Sequence, residues 1–399
     1  MLAYIILILL ICFDFLIEKY FFNSEADKKK GNSKIYLLIK KLIEFRIITI
    51  SALVFLSTFK ALSVGYDTNN YYEYYSNFLN GEANNITHFE LGFKWLNTIF
   101  AWFKLDFRVL LFVVSLFVSI TFVTLIRKIS INKFLSIFLY IALGIFAQSL
   151  SAIRQIIAIT IICYVIIALQ KIMNCPSNDK LKYRNNLIKN ISISVFLILI
   201  ASLFHKSAIV CLILIPFSLI KPKPSIIIFS FLSCILLGIF LPTILMIIEK
   251  TISLDYYSKY YIESFVNYVQ ASDLLNNLYS IGLVAIFIFL YILRNKVLVF
   301  ENNKEERLYD FALFTFMIVP LIRIIGFLSN TQALLNRLSM YFFPILILLI
   351  PLFLKSFKVN KKLSVLTTMA IYLGAGLYMY YLYAIKFSCG VVPYIINFY

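Results

Sequence analysis

Apolar runs of spanning length recur along the whole chain and constrain its fold more than any other feature. A helix of about 20 apolar residues crosses the hydrocarbon core of a bilayer, whereas membrane β-strands alternate apolar and polar residues, which these runs do not. Hydrophobic residues make up 62% of the sequence and charged residues only 14%, too little charge for the surface of a soluble domain. The sequence therefore predicts an all-α, polytopic membrane protein.

We predict about twelve transmembrane helices in a single polytopic domain that covers residues 1–399. The predicted spans are 2–20, 42–64, 107–126, 134–150, 153–170, 188–204, 207–220, 225–248, 279–293, 308–328, 338–354 and 363–384. The first run contains Asp14 and Glu18 and lacks a basic start, so we expect a retained helix rather than a cleaved signal.

The loops alternate sharply in charge, which predicts the orientation of the chain. Most of the lysines and arginines fall in loops on one side, and the positive-inside rule makes that side cytoplasmic. Both termini are then outside (N-out/C-out). The net charge of +18 concerns topology and anionic membrane lipids. No nucleic-acid-binding fold surrounds the basic runs, so we expect no nucleic-acid partner.

Two longer insertions, at about 65–106 and 249–278, are predicted to face outward and combine acids with aromatic residues. The first contains Asp67 and Glu90 among tyrosines and tryptophans, and the second repeats the theme around Tyr257. Carboxylates bond sugar hydroxyls, and aromatic rings stack on the apolar faces of sugars. An interfacial belt also explains the aromatic residues well, but it explains the acids less well. The loops therefore indicate a polyol ligand.

The second half of the first insertion is predicted to form an amphipathic helix lying on the membrane. Its apolar stripe consists of Phe89, Phe93, Leu96, Phe100 and Phe103. Its polar stripe consists of Glu90, Lys94, Asn97 and Lys104. Glu90 has two interpretations that the sequence leaves open, a ligand contact and an ion pair with Lys94 one helical turn away.

The sequence does not indicate a metal site, and we expect no cofactor. It has two histidines, and neither insertion shows paired metal-ligand spacing. Its six cysteines do not form a disulfide framework, and most lie within apolar runs where packing is the expected role.

Ionisable residues in or beside the spans are the sharpest functional signal, because each is costly in a membrane unless it is used. Arg154 is predicted at the outer start of the fifth span, where Ser149 or Ser151 would cap the helix. Free N–H groups and a guanidinium would then face outward together, an arrangement that binds pyrophosphate.

Three further groups map to the same outer leaflet. His205, next to Lys206, follows the sixth span, Arg323 lies in the tenth and Arg337 opens the eleventh. Singly, the arginines could reach phospholipid phosphates, and His205 could cap a loop. Together with Arg154 they indicate a cationic pocket with one titratable base.

The order of short motifs, GYD with following tyrosines, FELGF, SAIRQ, HKSA and NR with a following tyrosine, resembles the EpsG family of Wzy-type polymerases of bacterial exopolysaccharide, capsule and O-antigen. The matching positions are Gly65, Asp67, Tyr71, Glu90, Gly92, Phe93, Arg154, Gln155, His205, Ser207 and Ala208. Tyr66 is a departure, since the family often has threonine there.

The resemblance implies a glycosyltransferase of the bacterial inner or plasma membrane. Such a polymerase transfers a growing glycan from undecaprenyl pyrophosphate onto a lipid-linked oligosaccharide repeat unit at the outer face. Because lipid pyrophosphate is a good leaving group, the reaction needs no metal. By analogy with the family, we expect a chain-length co-polymerase and a flippase as partners.

This reaction needs cations for the departing pyrophosphate. We assign Arg154 and Arg337 to that group, with Arg323 as a helper deeper in the bundle, because guanidinium contacts are bidentate. Further predicted substrate contacts are Gln155, Tyr71, Lys206 and Tyr257.

The reaction also needs a base for the attacking sugar hydroxyl. We prefer His205, because an imidazole titrates near neutral pH. Glu90 and Asp67 are its competitors.

Other classes of membrane protein remain as alternatives. A flippase for lipid-linked oligosaccharides is expected to show two similar halves, and the sequence shows no such repeat. An acyltransferase would place its histidine on the cytoplasmic side. A ligase of the O-antigen type uses the same donor and differs only in its acceptor, so it stays open.

Overall fold

The computed structural model describes residues 1–23, 43, 46–81, 89–175, 180–251, 274–329, 331–358 and 360–397. All regular secondary structure within these ranges is helical, apart from one isolated β-bridge between Lys60 and Ile396. The predicted all-α class is therefore confirmed.

We number the α-helices in chain order. They are α1 Leu2–Asn23, α2 Ile47–Thr58, α3 Thr68–Leu79, α4 Leu91–Trp102, α5 Phe107–Ile129, α6 Lys133–Ala142, α7 Ile145–Ser151, α8 Ile153–Met173, α9 Lys180–Phe204, α10 Leu214–Phe217, α11 Pro224–Thr251, α12 Leu274–Lys296, α13 Asn303–Leu328, α14 Gln332–Ser339, α15 Leu346–Ser356 and α16 Lys361–Tyr380. Four short turns of other helix types complete the set: 3₁₀ helices at Lys206–Ile213, Phe343–Ile345 and Ser388–Gly390, and a π-helical turn at Tyr381–Ile385.

Eight helices in the described part of the chain are long and apolar enough to cross a membrane. They are Phe107–Ile129, Ile153–Met173, Leu181–Phe204, Pro224–Ile244, Asn277–Lys296, Asn303–Leu328, Leu335–Ser356 and Lys361–Ile385. Each coincides with one of the twelve predicted spans, so the chain is a multi-pass membrane protein.

The predicted span 134–150 is broken into α6 and α7, whose axes differ by 50°. Gly144 allows the break, because its φ of 78° lies in the left-handed region that disfavours residues with a side chain. If this bent pair crosses the membrane as one unit, the described spans number nine.

Three predicted spans are shorter or more charged than a simple spanning helix. The span 42–64 contains only the helix α2, which ends at Thr58, and 207–220 corresponds to the short apolar stretch Lys206–Phe217. The span 2–20 is the helix α1, whose Asp14 is buried and accepts a 2.5 Å hydrogen bond from Thr49 on α2. This contact explains how a carboxyl group is tolerated in an apolar helix.

The chain forms two compact units. The first unit comprises Met1–Ile167, Phe196–Ile209 and Leu366–Tyr399. The second unit comprises Ala168–Val195 and Val210–Val365. The motifs GYD, FELGF, SAIRQ and HKSA all lie in the first unit.

In the first unit, the C-terminal segment is tied to the connection between α2 and α3. The backbone N–H of Gly65 donates to Gly390 O at 2.8 Å, and that of Tyr66 donates to Cys389 O at 3.1 Å. These bonds join residues more than 300 positions apart, as does the bond from the Tyr66 hydroxyl to Phe387 O. The GYD motif is therefore held against the C-terminal segment.

In the second unit, α13 is the central helix, and its residues from Leu308 to Ile322 are buried. Asp310 on this helix receives two hydrogen bonds from Arg294 of α12, at 2.8 and 2.9 Å. Arg294 also donates to Glu306 at 2.6 Å. Because Asp310 is only 2% exposed, this carboxylate depends on Arg294 for compensation of its charge.

We predict that Asp310→Ala destabilises the second unit. Removing one partner of a buried pair leaves the other charge uncompensated, and we expect a loss of about 3 kcal/mol in the free energy of unfolding. Thermal unfolding in detergent measures the change. The matched control is Glu301→Ala, which removes an exposed carboxylate paired with Lys355 and Lys358. Equal effects of the two substitutions would contradict the prediction.

Candidate functional site

Arg154 lies in the first turn of α8, directly after a helix interruption. The helix α7 ends at Ser151, and α8 begins at Ile153. The hydroxyl of Ser149 donates to Phe146 O at 2.6 Å, within α7. This serine donates within its own helix, and the predicted capping of α8 by Ser149 or Ser151 remains a prediction.

The guanidinium of Arg154 forms an ion pair with Glu90, at 2.6 Å between Nη1 and Oε2. Both side chains are largely enclosed, with 22% of Arg154 and 12% of Glu90 exposed. The guanidinium carbon also lies 4.3 Å from the centre of the Phe89 ring, a cation–π distance. Of the two interpretations of Glu90, the structure thus shows an ion pair, but with Arg154 rather than Lys94.

Two donors of the Arg154 fork have other environments. Nε is buried and has no hydrogen-bond partner among the described residues. The hydroxyl of Tyr71, only 3% exposed, interacts with the guanidinium. Burial raises the pKa of Tyr71, so this hydroxyl stays protonated. The predicted contact of Tyr71 with substrate remains a prediction.

An aromatic cluster packs beside the ion pair of Arg154 and Glu90. The buried Phe93 packs against Tyr71 at 5.4 Å between ring centres and stacks on Tyr74 at 5.8 Å. Phe89 meets Tyr74 edge to face at 4.2 Å. These contacts join α3 to α4, so several of the tyrosines that suggested sugar stacking are structural.

Gly92 allows α4 to approach the end of α9. A Cβ at this position would lie 2.9 Å from the backbone oxygen of Leu203, closer than real Cβ contacts come. The close approach brings Glu90 Oε1 to 3.3 Å from the backbone N–H of Lys206. Lys206 thus contributes its N–H to Glu90, while its side chain is exposed.

His205 sits in the turn that follows α9. Its Nδ1 lies 2.6 Å from the hydroxyl of Ser207, and Ala208 N–H donates to His205 O at 2.9 Å. Ala208 is fully buried. The HKSA motif therefore builds a turn in which the serine orients the imidazole and the alanine fits a tightly packed position.

Asp67 and Gln155 lie in the same unit but at the starts of two different helices, α3 and α8. Asp67 directly precedes α3, is half-buried, and makes no side-chain capping bond. Gln155 is buried and accepts a 3.1 Å hydrogen bond from Gln148 on α7. Gln155 thereby ties the start of α8 to the helix before the interruption.

The faces of α4 differ from the predicted amphipathic pattern. Asn97, assigned to the polar stripe, is fully buried and donates to Phe93 O at 2.7 Å. The exposed face instead carries Leu91, Trp95, Ile99 and Trp102. The prediction for Asn97 is wrong because the packing of α4 on α3 and α9 buries the face that contains Gly92 and Phe93.

The remaining predicted site residues are not in the first unit. Arg323 lies in α13 of the second unit, with its guanidinium carbon 4.6 Å from the ring centre of Tyr279. Arg337 is exposed on α14 in the same unit. Tyr257 and most of the 249–278 insertion lie outside the described residues. The roles of all three residues remain predictions.

The arrangement around Glu90 can bind an anion and accept a proton. One carboxylate holds a guanidinium on one oxygen and the turn containing His205 on the other. Within the described residues, no group of three or more His, Cys, Asp or Glu side chains is placed to bind a metal ion. The site in the first unit contains a guanidinium group, from Arg154, and an imidazole group, from His205.

Sequence reasoning missed Lys60 and Gln148. Lys60 was included in the predicted span 42–64 and was not considered as a site residue. Its ammonium donates a 2.8 Å hydrogen bond to Thr68, next to Asp67. A lysine inside an apolar run was a signal that could have identified it. Gln148 carried no such signal, since its bond to Gln155 crosses the interruption between α7 and α8, which no sequence pattern indicates.

We predict that Gly92→Ala destabilises the first unit by about 1–3 kcal/mol, because the added methyl group overpacks α4 against Leu203. Thermal unfolding in detergent measures the effect. The matched control is Gly376→Ala in α16, where a Cβ meets nothing within 4 Å. There we expect no loss of stability. A neutral Gly92→Ala variant would show that the close approach is not required.

Comparison with known proteins supports the motif assignment. The sequence model of the EpsG family matches residues 43–396, nearly the whole chain. Searches of curated proteins and of solved structures returned no match. Because the match covers most of the sequence, the chain belongs to the EpsG family.

Proposed function

We propose that this protein is a polysaccharide polymerase of the bacterial inner or plasma membrane, oriented with both termini outside. It transfers a growing glycan from undecaprenyl pyrophosphate onto a lipid-linked oligosaccharide repeat unit at the outer face. The observation that carries the proposal is Glu90, whose two oxygens contact the Arg154 guanidinium and the turn containing His205. A group for pyrophosphate and a group for a proton are thereby held together.

In the proposed reaction, a hydroxyl of the acceptor sugar attacks the anomeric carbon of the donor. A new glycosidic C–O bond forms, and the bond to pyrophosphate breaks with its electron pair on the phosphate oxygen. Arg154 stabilises the charge that develops there, using donors of its fork not engaged by Glu90. No metal or cofactor takes part.

We assign the base to His205 rather than to Glu90. Glu90 is paired with Arg154 and accepts the Lys206 N–H, so its charge already has two partners. In the proposal, Nδ1 of His205 donates to Ser207 and Nε2 accepts the proton of the sugar hydroxyl. Glu90 then acts as the residue that positions both groups.

The other contacts assigned from the sequence belong to the same proposal. Arg337 and Arg323 would assist with pyrophosphate, and Asp67 would bond sugar hydroxyls. The remaining proposed substrate contacts are Gln155, Tyr71, Lys206 and Tyr257. A chain-length co-polymerase and a flippase are the proposed partners.

We predict that Arg154→Ala abolishes chain extension. Purified protein in liposomes is supplied with the lipid-pyrophosphate-linked repeat unit of its host, and products are resolved by size. The wild type should give a ladder of glycan lengths, and the variant should lower the rate by about 10²–10³-fold because an electrostatic stabiliser is lost. The matched control is Arg108→Ala on α5, whose backbone N–H, rather than its guanidinium, bonds Asp106.

Each alternative class gives a different product in this assay. Transfer of the glycan to an acceptor other than a repeat unit, without a ladder, would identify a ligase. Intact single repeats on the opposite side of the bilayer would identify a flippase. Normal ladders from Arg154→Ala would contradict the role of Arg154 in binding pyrophosphate.

We predict that His205→Asn and Glu90→Gln separate catalysis from positioning. Loss of a general base should lower kcat by about 10²–10⁴-fold, with little change in donor affinity. Glu90→Gln weakens the hold on Arg154 and should mainly raise KM for the donor lipid. Initial rates against donor concentration measure both constants. The reverse pattern would make Glu90 the base and overturn our assignment of His205.

A further inference from the structure

Lys60 is a buried cation in the first unit that the proposed reaction does not use. Its side chain is enclosed, with the residue only 5% exposed, in the connection between α2 and α3. Its ammonium donates to the hydroxyl of Thr68 at 2.8 Å and to the backbone oxygen of Leu150. A buried ammonium is costly unless its donors are satisfied. Lys60 therefore contributes something to this unit that an apolar residue would not.

The acceptor at Leu150 belongs to the helix interruption that precedes Arg154. Near the end of α7, carbonyls lose the partners that a continuous helix would supply. Lys60 provides a donor to Leu150 O instead. The Thr68 hydroxyl accepts from the same ammonium, donates to Val64 O at 2.7 Å and lies 3.2 Å from Leu150 O. A positive charge at this point also suits the C-terminal end of a helix. Lys60 thus satisfies the broken end of α7 directly before Arg154.

The GYD turn is pressed against the same interruption. Gly65 has a φ of 92°, and a Cβ there would lie 2.4 Å from Leu150 O and 3.0 Å from Ser151 Cα. No other residue type fits at this approach. The turn that carries Asp67 and the interruption that precedes Arg154 are therefore in direct contact, with the Lys60 ammonium at their junction.

The backbone of Lys60 is itself anchored. It forms the isolated bridge with Ile396, and its neighbours continue the pairing through bonds from Ala61 N–H to Ile395 O at 2.9 Å and from Asn397 N–H to Phe59 O at 2.8 Å. The ammonium consequently enters the junction from a fixed position rather than from a mobile loop.

We propose that Lys60 is a positioning residue that locks the interruption between α7 and α8 and thereby sets Arg154 against Glu90. The positioning is a property of the fold of the first unit. Its consequence for turnover, a correctly placed guanidinium for the donor pyrophosphate, rests on the proposed function. This role adds a third element, the α2–α3 connection, to the two that contribute Glu90 and Arg154.

The electrostatic surroundings of Lys60 agree with this role. A cavity of about 20 Å³ beside it is lined by both serines and apolar residues, namely Ser57, Ser115, Ser119, Ser149, Leu111, Val114, Val118 and Ile153. Asp67 is the charged side chain whose field acts on the ammonium. Burial lowers the pKa of Lys60 to about 7, and Asp67 opposes that shift. The cation is thus held by hydrogen bonds and one nearby carboxylate rather than by a direct ion pair.

The test of positioning measures the coupling between Glu90 and Arg154 without reference to activity. Tm is measured for the wild type, Glu90→Gln, Arg154→Gln and the double variant, first with Lys60 present and then in a Lys60→Met background. Coupling is the departure of the double variant's shift in Tm from the sum of the single shifts. We expect Lys60→Met to reduce this coupling by at least about half, and Lys133→Met, an exposed lysine at the start of α6, to leave it unchanged.

Should Lys60→Met fail to give folded protein, Thr68→Val replaces it, since it removes the hydroxyl that accepts a hydrogen bond from the Lys60 ammonium. Coupling that keeps its wild-type size in the replacement background overturns the proposal. Coupling that falls while the wild type makes no glycan ladder leaves positioning intact and rejects the polymerase. A glycan ladder from the wild type together with unchanged coupling supports the polymerase and rejects the positioning role of Lys60.

Turnover provides a second readout. Displacing a substrate-binding group by about 1 Å can lower a rate by up to about 100-fold. We therefore expect Lys60→Met to lower kcat/KM for the donor lipid by about 10- to 100-fold, mainly through KM. A change confined to kcat would indicate a role in the chemical step and would contradict positioning.

The pH dependence of stability checks that Lys60 is buried as an ionisable group. Because its folded pKa, about 7, lies below the usual 10.5, the unfolded state binds more protons between these values. Stability of the wild type should therefore rise as pH increases through this window. The Tm of Lys60→Met relative to wild type should be highest near about pH 6 and fall by about pH 9. A pH-independent difference would contradict the lowered pKa of Lys60, whereas the coupling measurement decides its positioning role.

Discussion

The Glu90 carboxylate is the interaction on which the candidate site depends. It receives the Arg154 guanidinium on one oxygen and the Lys206 N–H on the other, and so joins three segments that are distant in the chain. A guanidinium enclosed by protein without a counter-charge would be strongly unfavourable. The carboxylate thus fixes where the guanidinium lies, and the aromatic face of Phe89 limits its remaining freedom. The small residue Gly92 is the steric condition for this arrangement, because it lets α4 approach α9 closely enough for Glu90 to reach the turn after Phe204.

Much of this could be predicted from the sequence, for physical reasons that differ by residue. Apolar runs of spanning length predict an all-α membrane protein, since only helices satisfy backbone groups over such lengths. That Arg154 has a specific partner follows from the cost of a charge in an apolar helix. The identity of that partner did not follow, because Glu90 is 64 positions away and Lys94, one turn along, offered a local alternative. Local periodicity cannot rank a tertiary contact against an i, i+4 pair of similar chemistry.

Lys60, which sequence reasoning missed, and Asn97, which it misplaced, are both polar residues buried by tertiary packing. Lys60 was read as part of an apolar run, and Asn97 as part of an exposed polar stripe. Both are buried, and each is held by hydrogen bonds to groups near a helix turn or end. At the end of α7, carbonyl groups without a helical partner need hydrogen-bond donors from elsewhere in the chain. The periodicity of apolar residues does not predict which side chain supplies them. The interruption lies at Ala152, between the end of α7 at Ser151 and the start of α8 at Ile153, and the sequence has no glycine or proline there to indicate it.

The choice of arginine at position 154 follows from the same geometry. An ammonium is a compact charge that a single carboxylate can largely satisfy, whereas a guanidinium has five donors in a planar fork. Here one edge of the fork meets Glu90, the face meets Phe89, and Nε has no partner among the described residues. The pair with Glu90 therefore orients the cation without exhausting its donors. A lysine in this place could keep the ion pair but would lose the planar group that contacts Glu90, Tyr71 and the Phe89 ring together. In the proposed reaction, arginine therefore matters for its shape as well as its charge.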